Sequence, residues 1–349
     1  MKRLIVRALA ITLALSLLCG SAALGESKYV SIRDIRDTIP ERWTGEYTTK
    51  KGETVSIDTP IVVPEVDAVP IVRITWGGPY EGLDESLQTF DNSLNYTNYS
   101  CNFGNIQFDF DTRLHDTTIS GRVSYEEASS LFLETLREAV PALKDRSFEC
   151  FYQSVSPTLD QSEKVYMLDY YNVYHGIPYL IGQKFLYEVK SEHLDELPSV
   201  PFNHVSGYLL DSEHYLAAIG SPKEIGIDME DVPLLPFNEI LKKFEKLAQD
   251  GYIYSLDELR FGYMAFIDPE KKGEEFVLMP VWTAKGRTNN DPTIPFDMET
   301  SQDSLDYSGY LSGAVLVINA QSGKYYEFAY DTSPDRRYAP KIITWDDMK

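Results

Sequence analysis

The side chains able to do chemistry are scattered along this chain. Its five histidines are His115, His175, His193, His204 and His214. No two stand at the His-x-x-x-His spacing that puts a metal-ligand pair on one helix face. His204 and His214 can face each other across a Gly207–Ser212 hairpin. Two imidazoles without further ligands do not make a zinc site, so each histidine reads as a surface or turn residue. The nucleophile signatures are missing: no Gly-x-Ser-x-Gly, no Ser-x-x-Lys set with its partners, and no cysteine in a thiol-enzyme setting. Neither a phosphate-cradling Gly-x-x-x-x-Gly-Lys loop nor a dinucleotide fingerprint occurs. No catalytic, cofactor-binding or metal-ligating residue is therefore expected, and no cofactor.

Carboxylates are abundant, 54 against 32 Lys and Arg, so acidic pairs carry little information. Asp228, Glu230 and Asp231 cluster, as do Asp346 with Asp347, and Asp109 with Asp111 on one strand face. A carboxylate hydrolase needs two such groups at a set separation in a cleft, which spacing in sequence cannot supply. That reading stands as the alternative, with the polar stretch Thr288–Gly309 as its lid. A calcium loop of the Asp-x-Asp-x-Asp-Gly kind is absent.

Tyrosine is the unusual residue, 24 in all. Tyr170, Tyr171, Tyr174 and Tyr179 surround His175, and Tyr252, Tyr254 and Tyr263 form a second group. Tyrosine suits binding surfaces and half-wet sheets alike. Two readings stand: Tyr170, Tyr171, Tyr174, Tyr179 and Trp282 form a binding face, or they are sheet architecture.

The net charge of -22 argues against nucleic acid and anionic lipid as partners. With 43% hydrophobic and 13% aromatic residues the chain can bury a core. Lys2, Arg3 and Arg7 precede an uncharged run from Ala8 to Gly25, the grammar of a secretory signal peptide over residues 1–25. Its removal leaves a still more acidic chain with no membrane span. Cys19 ends the apolar stretch and opens the alternative of lipidation, although Leu18 and Ser16 depart from the small and bulky-aliphatic residues that processing prefers. Export places Cys101 and Cys150 where a disulfide could form; two free thiols are the other reading.

The elements that must position these groups follow from periodicity. Ile32, Ile35 and Ile39 suggest a short helix or arm, and residues 43–74 alternate as strands broken by Pro60, Pro64 and Pro70. Residues 80–100 read as a loop around a short helix. Ser124 and Glu127 form a capping box ahead of an apolar stripe to about Leu143. Strands are expected over 148–155, 164–174, 179–189, 204–210 and 215–219, with His175-Gly176 as a turn. A second helix runs from Phe237 to about Gln249, followed by strands over 252–267, 275–284, 311–319 and 324–330. The expected fold class is α+β: two helix-plus-antiparallel-sheet units, residues 121–230 and 231–349, preceded by a strand-rich segment, residues 26–120.

Four stretches carry a resemblance. They are Trp43-Thr44 with Val55–Asp58 and Val62–Asp67, the helix Ser124–Leu143, the run from Tyr254 through Phe261–Met264 to Leu278–Trp282, and Val317–Gly323. Together they resemble a clostridial-type family of secreted or lipid-anchored proteins of unknown function. The last two are also similar to the C-terminal part of YycI-type extracytoplasmic regulators and, more distantly, to PepSY-type domains. The resemblance implies a fold and a location and brings no catalytic residue. The expectation is an extracytoplasmic, non-enzymatic binding or regulatory protein, secreted or attached to the outer face of the cell membrane. Its expected partner is a cell-surface protein or a wall polymer.

Overall fold

The computed structural model describes residues 29–75, 88–91, 96–101, 123–157, 164–181, 204–209, 215–220, 222–267, 275–288 and 314–326. The expectations for the 1–25 leader and Cys19, for His115, His193 and His214, for Asp109, Asp111, Asp346 and Asp347, and for the polar stretch from 289 to 309 lie outside those residues.

Among the described residues there are three α-helices. Helix α1 (Ile32–Thr38) and helix α2 (Tyr125–Ala139) both start in capping boxes. In α1 the Ser31 hydroxyl accepts from Asp34 N at 3.2 Å and Ser31 N donates to Asp34 at 3.0 Å. In α2 Ser124 and Glu127 make the same exchange at 3.2 and 2.8 Å. These pairs satisfy backbone donors that the first helical turn leaves open. Helix α3 (Phe237–Asp250) starts after Pro236 without a side-chain cap and stops at Gly251, whose φ of 89° lets the chain leave in the left-handed region. A 3-10 turn (Pro141–Leu143) follows α2.

Among the described residues fifteen strands make one mixed sheet. In chain order they are β1 (Arg42–Thr48), β2 (Thr54–Val62), β3 (Ile71–Thr75), β4 (Gln88–Asp91), β5 (Tyr96–Cys101), β6 (Ser147–Pro157), β7 (Lys164–Tyr174), β8 (Ile177–Ile181), β9 (His204–Leu209) and β10 (Tyr215–Ile219). Then come β11 (Lys223–Met229), β12 (Ile253–Ile267), β13 (Glu275–Thr288), β14 (Ala314–Asn319) and β15 (Tyr325–Tyr326). The main path runs β11-β3-β13-β12-β8-β7-β9-β10-β5-β4.

Three long strands are spines whose edges are shared end to end. β13 covers one edge of β12 from Ile253 to Ile267. The other edge takes β2 at Leu259–Arg260 and then β8 at Tyr263–Met264, both parallel. β13 is shared likewise by β3 near its start and β14 further on. β7 has β6 along one edge, with β9 and then β8 along the other.

Two clusters of buried side chains flank this sheet. One packs α1 and α3 on strands β1–β3 and β12–β14, with Trp282 fully buried against Phe237 at 4.9 Å and Phe261 at 5.3 Å between ring centroids. The other packs α2 on β6, β7, β9 and β10, with Phe132 stacked on Tyr170 at 5.8 Å.

The α+β expectation of two helix-plus-antiparallel-sheet units is therefore overturned: the molecule is mostly sheet. The strand-rich N-terminal segment is no separate piece, because β2 joins β12, and β3 joins both β11 and β13. The helices were legible from their stripes. The long-range pairings that merge the sheet leave no periodic signal in sequence.

Candidate functional site

The expected tyrosine face is not a surface. Tyr170, Tyr174, Tyr179 and Trp282 are buried at 1, 3, 0 and 0% exposure. Tyr170 and Tyr174 sit two pleats from each other on β7, while Tyr171 points to the opposite face. Tyr171 is half-buried, stacked on Phe151 with centroids 3.9 Å apart. Burial pushes the phenols of Tyr170, Tyr171, Tyr179 and Tyr263 above the ordinary tyrosine range. A buried phenol needs a partner, and three hydroxyls here find a backbone oxygen or a hydroxyl. Tyr170 donates to Ser129 at 2.9 Å, Tyr174 to Pro222 O at 2.6 Å and Tyr263 to Pro70 O at 2.6 Å.

The cysteines are not brought together. Cys150 is a free thiol on β6. Cys101 ends β5, four strands away along β6–β7–β9–β10–β5. Four strand spacings are about 19 Å, whereas a disulfide holds its Cα atoms about 4.4–6.8 Å apart. Desolvation raises the Cys150 thiol to about 11, with Asp169 and Glu149 adding to the shift. It is therefore a poor nucleophile near neutrality.

Glu149 and Glu258 do approach each other, around Arg260. Arg260 holds Glu258 with both arms, at 2.7 and 2.8 Å, and also bonds Glu149 from β6. The cluster clamps β12 to β6. It uses both carboxylates as ion-pair partners of one guanidinium. Among the described residues no group of three or more His, Cys, Asp or Glu is placed to hold a metal ion.

A different feature emerges at β11. Residues 223–229 close the unit expected over 121–230, where no strand was expected, and form an edge strand among the described residues. Among the described residues its single strand neighbour is β3. Ile225, Ile227 and Met229 expose 45, 42 and 45% of their surface. Three of the five exposed large hydrophobic residues described lie on these seven positions. The signal was present in the sequence: alternate apolar residues at 225, 227 and 229 are strand spacing.

The sequence-predicted residues reappear as the supports of this edge. Tyr174 fixes Pro222 and Asn172 fixes Gly220, just ahead of β11. Tyr263 fixes Pro70, just ahead of β3. His175 has φ of 51° beside Gly176 at 79°, the two positive values a tight hairpin turn requires. Its Nε2 lies 3.1 Å from both carboxylate oxygens of Glu224 on β11. The acidic cluster at 228–231 is likewise largely engaged. Asp228 pairs with Arg73 of β3 at 2.6 Å, and Asp231 accepts from Val69 N at 3.1 Å. Two bulges, at Glu224/Gly226 and Ile227/Met229, interrupt the β11–β3 ladder.

No family model and no curated protein matches the chain. Among solved structures, the chain is similar to an uncharacterized protein from Eubacterium rectale, at 14% identity and a TM-score of 0.49, over 82% of this chain and 94% of that one. A likeness that slight assigns neither fold nor activity.

Proposed function

We propose that this chain is an extracytoplasmic, non-enzymatic binding protein that engages a partner at the bacterial cell surface, and that the partner docks along β11. One observation carries the reading: β11 presents three large apolar side chains to solvent on an edge pinned at both ends. An edge strand offers backbone N–H and C=O groups to a further chain, and clustered exposed apolar residues mark interaction surfaces. The basic start and uncharged run of residues 1–25 support the location.

The test places a photoreactive amino acid at Ile227 in the cells that make the protein, with Glu126 on the exposed side of α2 as the control position. A discrete adduct of higher mass from 227 and none from 126 is the expected result. No adduct at 227, or equal adducts at both, overturns the reading. Protease added to intact cells checks the location: the chain is degraded if it lies outside and survives if it lies within.

A further inference from the structure

We propose that β11 accepts an extended segment bearing alternate basic and apolar residues, which adds to the sheet as an antiparallel strand. The inference rests on β11 being the docking edge and goes further by naming how the partner binds and what chemistry it carries. Three observations lead there.

The first is topology. β11 stands at the end of the main strand path, next to β3 alone among the described residues. Between its two bulges a strand in that position turns part of its N–H and C=O groups away from its neighbour, and peptide recognition by strand addition uses such groups for affinity.

The second is the side chains. Ile225, Ile227 and Met229 recur at the two-residue period of a strand and are each more than two-fifths exposed. In strand addition, alternate side chains supply selectivity while the backbone supplies the bonds. A partner with apolar residues at the same period covers these three.

The third is charge. Glu224, Asp228, Glu230 and Asp231 are set on or just beyond β11; Glu224 faces His175, Asp228 pairs with Arg73 and Asp231 accepts from Val69 N, and with Lys223 and Arg73 as the nearby cations the edge stays net acidic. The chain as a whole carries -22. A second copy would bring the same acidic edge and the same net charge against it, which opposes self-pairing. A lysine- or arginine-bearing segment meets complementary charge and is steered toward the edge. The two bulges limit self-association further, since they twist an edge away from indefinite pairing.

The edge is also held in place before anything binds. Tyr174, Asn172, His175, Arg73 and Val69 each grip a residue on or beside it. Pre-organisation of this kind lowers the ordering cost of association.

The experiment is titration of the full chain with an eight-residue synthetic peptide of four Lys-Val repeats, blocked at both termini. Two control peptides are the same sequence N-methylated at every second amide, and four Glu-Val repeats. The expected result is saturable binding of the Lys-Val peptide that weakens with added salt, with at least about tenfold weaker binding of both controls. A double variant, Ile225→Asp with Ile227→Asp, should weaken the Lys-Val peptide by a similar factor. Ile225→Thr with Ile227→Thr keeps strand propensity without adding charge and should weaken it less. Equal binding of the N-methylated peptide would overturn strand addition, because charge alone would then account for the affinity. Binding undiminished in the Asp variant would place the site elsewhere. A chain that runs as a dimer by light scattering, and as a monomer in the Asp variant, would show that a second copy occupies the edge, and that also overturns the proposal. A photo-adduct at 227 combined with no peptide binding would leave the docking reading standing and sink only this mode.

Discussion

Arg260 is 15% exposed and faces two carboxylates, Glu258 on its own strand and Glu149 on β6. Removing the guanidinium leaves two negative side chains close together with no counter-charge. The Arg260→Met substitution is expected to cost about 2–4 kcal/mol, the scale of a broken, mostly buried pair. The midpoint of urea unfolding measures it; an unchanged midpoint would show that the clamp contributes nothing. The buried tyrosines set a different limit. The folded phenols of Tyr170, Tyr171 and Tyr263 lie above their unfolded value of 10.0, and desolvation is the first cause for each. As pH climbs through about 10 the unfolded chain sheds these protons and the folded chain does not, so stability falls. The Cys150 thiol, raised from 9.0 to about 11, acts in the same direction. Unfolding midpoints should therefore drop between about pH 8 and pH 10.5; equal midpoints would contradict the burial of these groups.

At the level of elements, α2 sits on the sheet through one close approach. A Cβ placed on Gly207 of β9 would lie 2.1 Å from the Phe132 ring. No aromatic ring tolerates that distance, so Gly207→Ala must push α2 off β9 or rotate Phe132 out of its packing. The expected cost is about 1–3 kcal/mol, as for other overpacked cores. A paired Phe132→Leu change should recover part of it, and no recovery would place the strain elsewhere. Elements of this kind were well forecast by sequence. The capping box at Ser124 and Glu127 and the stripe through Ala128, Phe132 and Leu136 are local signals, and the helix formed where they indicated. Asn319 through Gly323 form a turn between the strands expected over 311–319 and 324–330, with Asn319 Oδ1 accepting from Gln321 N and Ser322 N. The failures were non-local. Tyrosines 170, 174 and 179 read equally as face or core because a strand's period does not say which side is covered. Residues 223–229 carried strand spacing, but the strands expected from sequence ended at 219 and resumed at 252. Residues 88–91 and 96–101 form strands β4 and β5 where a loop around a helix was expected. β5 pairs with β10, far along the chain, and β4 pairs with β5, which supplies what their polar sequence lacks.

At the scale of the molecule, a single mixed sheet joins both buried clusters through β8, which pairs with β12 on one side and β7 on the other. Such a sheet leaves edges, and a protein of charge -22 has little need to protect them from its own copies. β11, next to β3 alone among the described residues, is the edge at which the proposed partner docks. The supports of β11 come from β3, β7 and the turn after β7, so the edge is fixed by the body of the sheet. The most direct measurement is hydrogen exchange at the amides of residues 223–229, with and without the Lys-Val peptide at saturating concentration. The account predicts rapid exchange at the outward amides of β11 in the free protein and clear slowing there on binding, with α2 and its strands unchanged. Exchange at β11 that is already slow in the free protein, or that does not respond to bound peptide, would contradict it.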